Sequence, residues 1–261
     1  MKKRFRILAA ALTLAFCLLG SVSASAAAAA VPADKSPREV VEPTGAAKLS
    51  RDTLAYASHF GGPYRFADAP VKRPADDRDA APAEDAVATL TIYVQTDVDT
   101  EPINFTGHSF LGIENLSDHE LEVGGLLIAP GTGMTIGTRA NRPEHAGVWY
   151  NLEGFYCYYL PSFYPNLYSM RVSLDQAALD TVNQNIALAD HWSAFYNCTS
   201  FTTSMWNAVC TDTLSAGTPN SPKGLKANIR TYGDKFSYNA PVPYDYIVTY
   251  GLSAIPSEDY S

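Results

Sequence analysis

The sequence is poor in cysteine, in closely spaced metal ligands and in long apolar runs, and it carries no excess of positive charge. Four cysteines occur among 261 residues, and 19 basic residues are outnumbered by 27 acidic ones, for a net charge of −8. The acidic balance argues against binding nucleic acid or anionic lipid through bulk electrostatics. Because no Cys-x-x-Cys or His-x-x-x-His pair occurs, we expect no metal site and no cofactor.

Residues 1–26 have the features of a secretory signal peptide. A basic start is followed by an apolar run over residues 7–19 and by Ala24-Ser25-Ala26, which fits the small-x-small cleavage rule. No apolar run reaches the roughly 18 residues that a membrane-spanning helix needs, so we expect no integral membrane segment. Cys17 follows the bulky Phe16 rather than the small residue of a lipoprotein signal. We therefore expect a secreted protein, extracellular or associated with the cell wall.

Removal of this peptide changes the charge and the cysteine count. Four basic residues and no acidic residue lie in 1–26, so the mature chain keeps 15 basic residues and a net charge of −12. Its three cysteines are Cys157, Cys198 and Cys210. An odd number in an exported protein indicates at least one free thiol. Either Cys157 pairs with Cys210 and leaves Cys198 free, or no cysteine pairs.

The composition divides the rest of the chain into three parts. Residues 27–88 are rich in Ala, Pro, Asp and Arg and contain few large apolar side chains, which predicts a low-complexity linker or pro-segment. Residues 89–232 carry the periodic patterns of a folded domain, and residues 233–261 are expected to form a C-terminal extension.

The folded part begins with strand patterns and continues with helical ones. Strands are predicted over 88–94 and 108–115, as a hairpin of 120–128 with 134–138 around Pro130-Gly131-Thr132-Gly133, as a long aromatic strand over 147–160, and over 244–250. Helices are predicted after the capping-box pattern at Ser173, over 198–210 and over 225–229. The order of elements predicts an α+β domain in which an antiparallel sheet packs against helices.

Cys198 lies at the predicted start of a helix, directly after Asn197. Unpaired N–H groups and the helix dipole at this position favour the thiolate, which is the nucleophilic form of cysteine. Cys198 also begins an apolar stripe, which continues through Phe201, Met205 and Val209 and points the thiol toward the sheet. Asn197 either donates to an oxyanion or simply caps the helix, and capping is the commoner role of Asn there.

His108 begins a predicted strand in the sequence Gly107-His108-Ser109-Phe110. A histidine near a thiol takes its proton and forms an ion pair with the thiolate. A sheet that faces the helix would bring His108 to Cys198. Taken alone, each of the two residues is also compatible with a purely structural place in the core.

The two motifs together resemble the circularly permuted branch of the NlpC-type papain-like enzymes, which includes relatives of lecithin retinol acyltransferase. In that branch the histidine strand precedes the cysteine helix, as His108 precedes Cys198 here. The resemblance covers residues 88–229 and rests on two short motifs. It implies a permuted papain-like catalytic domain and a cysteine hydrolase or acyltransferase that attacks amide or ester bonds, with a thioester intermediate.

The family also has a third polar residue that orients the histidine, and here the sequence match is poor. Asn151 is the first candidate, because the pattern places it on a later strand. Glu114, Glu153 and His145 are the alternatives. Glu114 lies on the same strand and the same face as His108, but six residues away its side chain is poorly placed to contact the imidazole.

The sequence leaves three functions open. The first is a cysteine peptidase or amidase acting on peptide or peptidoglycan-like substrates, since exported bacterial members of the resembled family often cleave cell-wall peptides. The second is a non-enzymatic module of the same fold that binds the cell wall or a partner. The third is an acyltransferase. The oligomeric state is not indicated by the sequence.

Overall fold

The computed structural model describes residues 71–96, 107–244 and 247–260. The predicted signal peptide and residues 27–70 of the predicted linker lie outside these residues. The strands are β1 (Ala88–Gln95), β2 (His108–Asn115), β3 (Leu121–Val123), β4 (Leu126–Ile128), β5 (Gly133–Arg139), β6 (Gly147–Tyr150), β7 (Tyr168–Leu174), β8 (Phe236–Tyr238), β9 (Thr249–Tyr250) and β10 (Ile255–Pro256). The α-helices are α1 (Leu152–Tyr159), α2 (Gln176–Leu188), α3 (Cys198–Val209) and α4 (Pro222–Ile229). Short 3-10 turns span Pro161–Phe163 and Arg230–Lys235.

The fold is α+β and is built on one antiparallel sheet in the order β10-β9-β6-β5-β2-β1-β7-β8. The strands β1 and β2 pair along their whole length, from Ala88 opposite Asn115 to Gln95 opposite His108. β3 and β4 form a separate two-stranded ribbon. Within the described residues, no helix is both long enough and apolar enough to cross a membrane.

Each face of the sheet is covered by its own apolar core. On one face, strand residues such as Ile92 and Leu111 pack with Leu179 of α2, Phe201 of α3 and Leu225 of α4. On the other face a smaller, aromatic core combines members of β1, β2, β6, α1, the segment before β7 and the C-terminal segment: Tyr93, Phe110, Trp149, Leu152, Tyr156, Cys157, Tyr164, Leu167, Val242 and Val248. The C-terminal extension predicted for 233–261 thus supplies part of this core and three strands of the main sheet.

Residues 73–87 form a segment without helix or extended strand, here called the N-terminal strap, that lies against the domain. Arg73 forms a parallel bridge with Cys210: its N–H donates to the Val209 carbonyl at 3.2 Å, and its carbonyl accepts from Thr211 at 2.8 Å. Further along, the Asp76 N–H donates to the Arg171 carbonyl at 2.8 Å. The strap therefore connects the end of α3 to β7.

The long aromatic strand predicted over 147–160 is wrong. β6 ends at Tyr150, Asn151 adopts a left-handed conformation with φ 61°, and α1 follows at once. Asparagine tolerates this conformation better than most residues, which allows the strand to pass directly into a helix. The tyrosines beyond it lie on a helix rather than on a strand.

The predicted hairpin of 120–128 with 134–138 is also wrong. The turn falls earlier, at Gly124 and Gly125, which have φ of 57° and 85° and suit a tight two-residue hairpin between β3 and β4. β5 then pairs with β2 and β6 instead. The start of α2 also differs from the prediction, because the helix cap is Asp175, whose side chain accepts from the Ala178 N–H at 2.9 Å. The predicted cap, Ser173, lies instead in β7, a strand that the sequence pattern did not indicate.

Candidate active site

His108 is the first residue of β2, at the end of the sheet. Gly107 precedes it with φ 108°, and a Cβ atom at Gly107 would lie 2.3 Å from the Gln95 carbonyl oxygen. Only glycine fits both the backbone conformation and this close approach. The His108 ring stacks with Phe110 and Tyr164, at centroid distances of 6.1 and 6.2 Å. The ring is therefore held in the aromatic core with only its edges available to polar partners.

Cys198 is the first residue of α3, as the sequence pattern predicts. The Asn197 side-chain oxygen accepts from the N–H groups of Thr199 at 3.0 Å and Ser200 at 3.2 Å. Its amide nitrogen donates to the Asn220 carbonyl at 3.2 Å. Asn197 is thus the helix cap, and its amide donor is directed at a loop carbonyl. The N–H of Cys198 itself is the helical donor nearest the sulfur.

The Cys198 thiol and the His108 imidazole lie close enough for each to shift the pKa of the other. Cys198 is half-buried, and burial raises the pKa of its thiol, but the charge and hydrogen bond of His108 and the hydrogen bonds of Ser109 outweigh this and lower the pKa. Burial and the Arg139 charge lower the pKa of His108, but the charge and hydrogen bond of Cys198 and the hydrogen bond of Glu153 raise it overall. Both shifts favour a thiolate–imidazolium pair.

Glu153, not Asn151, is the third polar residue at the imidazole. The His108 Nε2 atom lies 2.8 Å from Glu153 Oε1, and the Glu153 side chain is completely buried. With Nε2 bonded to the carboxylate, Nδ1 is the ring nitrogen left for the Cys198 thiol. The Asn151 side chain instead accepts from the Thr135 N–H at 3.4 Å and donates to the Ile247 carbonyl at 2.9 Å.

The two remaining sequence candidates also lie elsewhere. Glu114 is an exposed position of β2, and its carboxylate is 3.5 Å from the Thr89 hydroxyl. His145 bonds Asp190 Oδ1 through Nε2 at 2.5 Å and stacks on Tyr250. Neither residue contacts His108 in the bonds described.

Glu153 has room for its carboxylate because residue 137 is glycine. A Cβ atom at Gly137 would lie 2.6 Å from Glu153 Oε1 and 2.9 Å from Cδ, well inside van der Waals contact. On the same strand, Arg139 donates from Nε to Glu153 Oε1 at 3.2 Å. The Arg139 Nη2 atom donates to the Tyr164 hydroxyl, and its guanidinium lies 5.6 Å from the centre of the Tyr156 ring.

The charges around Glu153 keep it ionised despite its burial. Burial raises the pKa of Glu153, but the hydrogen bond from His108 and the charge of Arg139 outweigh this and lower it. Burial lowers the pKa of Arg139, but Tyr164 and Glu153 raise it overall. The site therefore holds a chain of contacts from Cys198 through His108 and Glu153 to Arg139.

Sequence reasoning missed Ser109, Gly137, Arg139 and Tyr164 at this site. Ser109 directly follows His108 on β2, so its side chain faces the opposite side of the sheet. There its hydroxyl lies 2.9 Å from that of Thr202 on α3. This bond joins β2 to the helix that carries the thiol. The place of Ser109 next to His108 is only a weak sequence signal. Arg139 and Tyr164 have no local signal, since their partners are distant in sequence.

Exposed apolar side chains lie in and next to the loop that leads into α3. Leu188 is 79% exposed, Trp192 37% and Phe195 94%. The loop is fixed by the His145–Asp190 contact and by stacking of His191 on Tyr196 at 4.4 Å. Exposed apolar side chains therefore lie a few residues before Cys198 in the sequence.

The three cysteines of the described residues, Cys157, Cys198 and Cys210, are free thiols; Cys157 and Cys210 are buried and do not pair with each other. Burial raises the pKa of Cys210 to about 12, which distinguishes it from Cys198. Across residues 71–96, 107–244 and 247–260, no group of three His, Cys, Asp or Glu side chains is placed to hold a metal ion. No protein-family model, curated protein or solved structure matches the chain.

Proposed function

We propose that the protein is a secreted cysteine hydrolase of amide bonds with a circularly permuted papain-like arrangement. The observation that carries the proposal is the contact chain of Cys198, His108 and Glu153, with the thiol at a helix start and the pKa of Cys198 lowered. A buried structural cysteine would have a raised pKa, as Cys210 does. The order of histidine strand and cysteine helix supports the permuted arrangement.

In the proposed mechanism the Cys198 thiolate attacks the carbonyl carbon of the amide. The carbonyl oxygen becomes an oxyanion, which the Cys198 N–H at the start of α3 is placed to stabilise. The His108 imidazolium gives its proton to the leaving nitrogen, the C–N bond breaks, and a thioester remains. Neutral His108 then takes a proton from water, which attacks the thioester and releases the acid. Glu153 holds the imidazole tautomer throughout.

The test is cleavage of peptidoglycan fragments and stem peptides by the folded protein, followed by detection of new amine and carboxyl ends. We expect Cys198→Ala and His108→Ala to abolish cleavage. His119→Ala is a matched control, because His119 also contacts a carboxylate, Asp118, but on the surface with 63% of its side chain exposed. Cleavage that survives Cys198→Ala would refute the proposal.

The thiol can be tested without knowing the substrate. Iodoacetamide labelling at pH 6 with peptide mapping compares Cys198 with Cys157 and Cys210 in one molecule and with free glutathione. We expect Cys198 to react faster than all three, because its pKa is lowered and a larger fraction of it is therefore thiolate at a given pH. A Cys198 rate no greater than that of glutathione would contradict the proposed activation.

A second candidate function, binding to the cell wall or a protein partner without catalysis, is favoured by the exposed apolar side chains in and next to the loop before α3. It predicts sedimentation with purified cell walls that survives Cys198→Ala but is weakened by Phe195→Ser. Ile255→Ser is the control, since Ile255 is an exposed apolar residue outside that loop. Acyl transfer, the third candidate, would appear as acylation of an added amine in place of a free acid.

A further inference from the structure

The Glu153 carboxylate occupies an environment that cannot hold a charge by itself. Its side chain is completely buried, and within the described part of the chain its second oxygen, Oε2, has no hydrogen-bond partner. The other oxygen, Oε1, accepts from both His108 Nε2, at 2.8 Å, and Arg139 Nε, at 3.2 Å. A buried carboxylate with so few bonds becomes neutral unless a cation compensates it.

The charged and titratable groups packed around Glu153 and Arg139 come from several elements. His108 contacts Glu153 from β2, and Arg139 contacts it from β5. The Tyr164 hydroxyl, in the segment before β7, accepts from Arg139, and the Tyr156 ring of α1 lies against the Arg139 guanidinium. Only Arg139 is a permanent cation. His108 can carry a charge, but it must lose and regain that charge in the proposed reaction.

We propose that Arg139 is a positioning residue that keeps Glu153 ionised and aimed at His108, with the Tyr164 hydroxyl fixing the guanidinium. The inference rests on the proposed function and names a further part of that site. Arg139 is hydrogen-bonded to Glu153 and to Tyr164 rather than to Cys198 or His108, so it positions the imidazole through Glu153. It is itself nearly buried, with 10% of its side chain exposed.

Arg139 also sets the net charge of the site during activation. With Arg139 present, the acidic form of the site has a thiol, an imidazolium, a carboxylate and a guanidinium, and loss of the Cys198 proton brings the sum of charges to zero. Without Arg139, an ionised Glu153 would leave a net negative site after the same step, in a poorly solvated place, which is less favourable. If Glu153 instead became neutral, the imidazolium would lose the charge that supports it. The Arg139 charge also lowers the pKa of His108 directly, and its removal relieves this effect. We expect the loss of support from Glu153 to be larger, so the Cys198 thiolate becomes harder to form in either case.

The experiment measures the rate of iodoacetamide alkylation of Cys198 between pH 4 and pH 9 in folded variants, by peptide mapping. We expect Arg139→Gln to move the midpoint upward by about one pH unit, which is a roughly tenfold lower rate below the midpoint. Arg139→Lys keeps the charge and should recover most of the shift, a rescue that a role in packing alone would not give. Arg142→Gln is the matched control, since Arg142 also lies over the Tyr156 ring, at 5.5 Å, and binds its hydroxyl, but does not bond Glu153.

Tyr164→Phe provides a second variant if Arg139→Gln does not fold. It keeps the ring that stacks on His108 and removes the hydroxyl that receives Arg139, so we expect a smaller shift in the same direction. An unchanged midpoint in a folded Arg139→Gln or, failing that, in Tyr164→Phe would overturn the inference. The alkylation profile of the wild type tests the proposed function separately. If wild-type Cys198 reacts as slowly as glutathione at pH 6, both the proposed function and this inference are refuted. If it reacts fast but Arg139→Gln leaves its midpoint unchanged, only this inference is refuted.

Discussion

Replacing Glu153 with glutamine removes the charge behind His108 while keeping the size of the side chain. The amide oxygen of glutamine can still accept from Nε2, so the ring orientation is largely preserved and the electrostatic contribution is isolated. The imidazolium loses its carboxylate, which lowers the pKa of His108. The Cys198 thiolate then loses its cationic partner, so the pKa of the thiol rises.

The distance between the two groups gives the size of the effect. Opposite charges whose centres are about 4 Å apart attract by about 4 kcal/mol at an effective dielectric constant of about 20. That energy corresponds to about three pKa units, or roughly a thousandfold in rate. Because the Arg139 charge offsets part of the carboxylate, we expect the loss of kcat/KM for amide hydrolysis to lie between about 10²-fold and 10³-fold.

The substitution also affects stability, and this can be separated from catalysis. Glu153→Gln leaves the Arg139 guanidinium buried without its carboxylate, which costs about 3–5 kcal/mol in comparable cases. The double variant Glu153→Gln/Arg139→Gln removes both charges, so we expect it to unfold at a higher temperature than the single variant. It should nevertheless remain as inactive as Glu153→Gln.

The assays are amide hydrolysis, alkylation of Cys198 against pH, and thermal unfolding followed by circular dichroism. Wild-type kcat/KM and a wild-type alkylation profile in folded Glu153→Gln would refute the electrostatic reasoning. So would a double variant that regained full activity, because the loss in the single variant would then come from unfolding alone.

Three further predictions follow from the same geometry. Gly137→Ala should lower activity and destabilise the fold by about 1–3 kcal/mol, measured by hydrolysis and thermal unfolding, because its Cβ would lie 2.6 Å from Glu153 Oε1. Asn197→Ala should lower the free energy of unfolding by about 1 kcal/mol, and Tm by about 2–4 °C, because the helix loses its cap. A loss of turnover at an unchanged Tm would instead favour a role of Asn197 in stabilising the oxyanion. In the pH–rate profile, the rate should rise with pH at a midpoint below 9.0, where Cys198 loses its proton, because the pKa of Cys198 is lowered. It should fall again at a midpoint above 6.5, where His108 loses its proton, because the pKa of His108 is raised. Midpoints at 9.0 and 6.5 themselves would argue against the ion pair.

The parts of the site that local sequence signals encode could be predicted. Asn197 before an apolar stripe predicts the start of α3, and the apolar pattern after His108 predicts β2, whose predicted bounds match the structure. Glycine before His108 marks a backbone constraint, although the sequence alone does not show that the Gln95 carbonyl approaches it. The α+β class follows from the same periodicities and is confirmed.

The third polar residue could not be chosen from sequence because its environment depends on an abrupt change from strand to helix at Asn151. If 147–160 were a strand, Asn151 and Glu153 would share one face and be hard to distinguish. The left-handed Asn151 ends the strand and starts a helix, which buries Glu153 against residues of β2 and β5. The aromatic composition of this stretch favours a strand, and tertiary packing overrides that preference.

The attachment of the N-terminal strap limits where the chain can be cut without loosening the domain. Arg73 is bonded to the end of α3, and α3 carries Cys198 at its other end, so the strap fixes the helix that carries this thiol. A protease acting in the predicted linker or pro-segment would have to cut before Arg73 to leave this attachment intact. A shortened recombinant chain should likewise begin upstream of residue 73, and one that begins at residue 88 should lose both solubility and thiol reactivity.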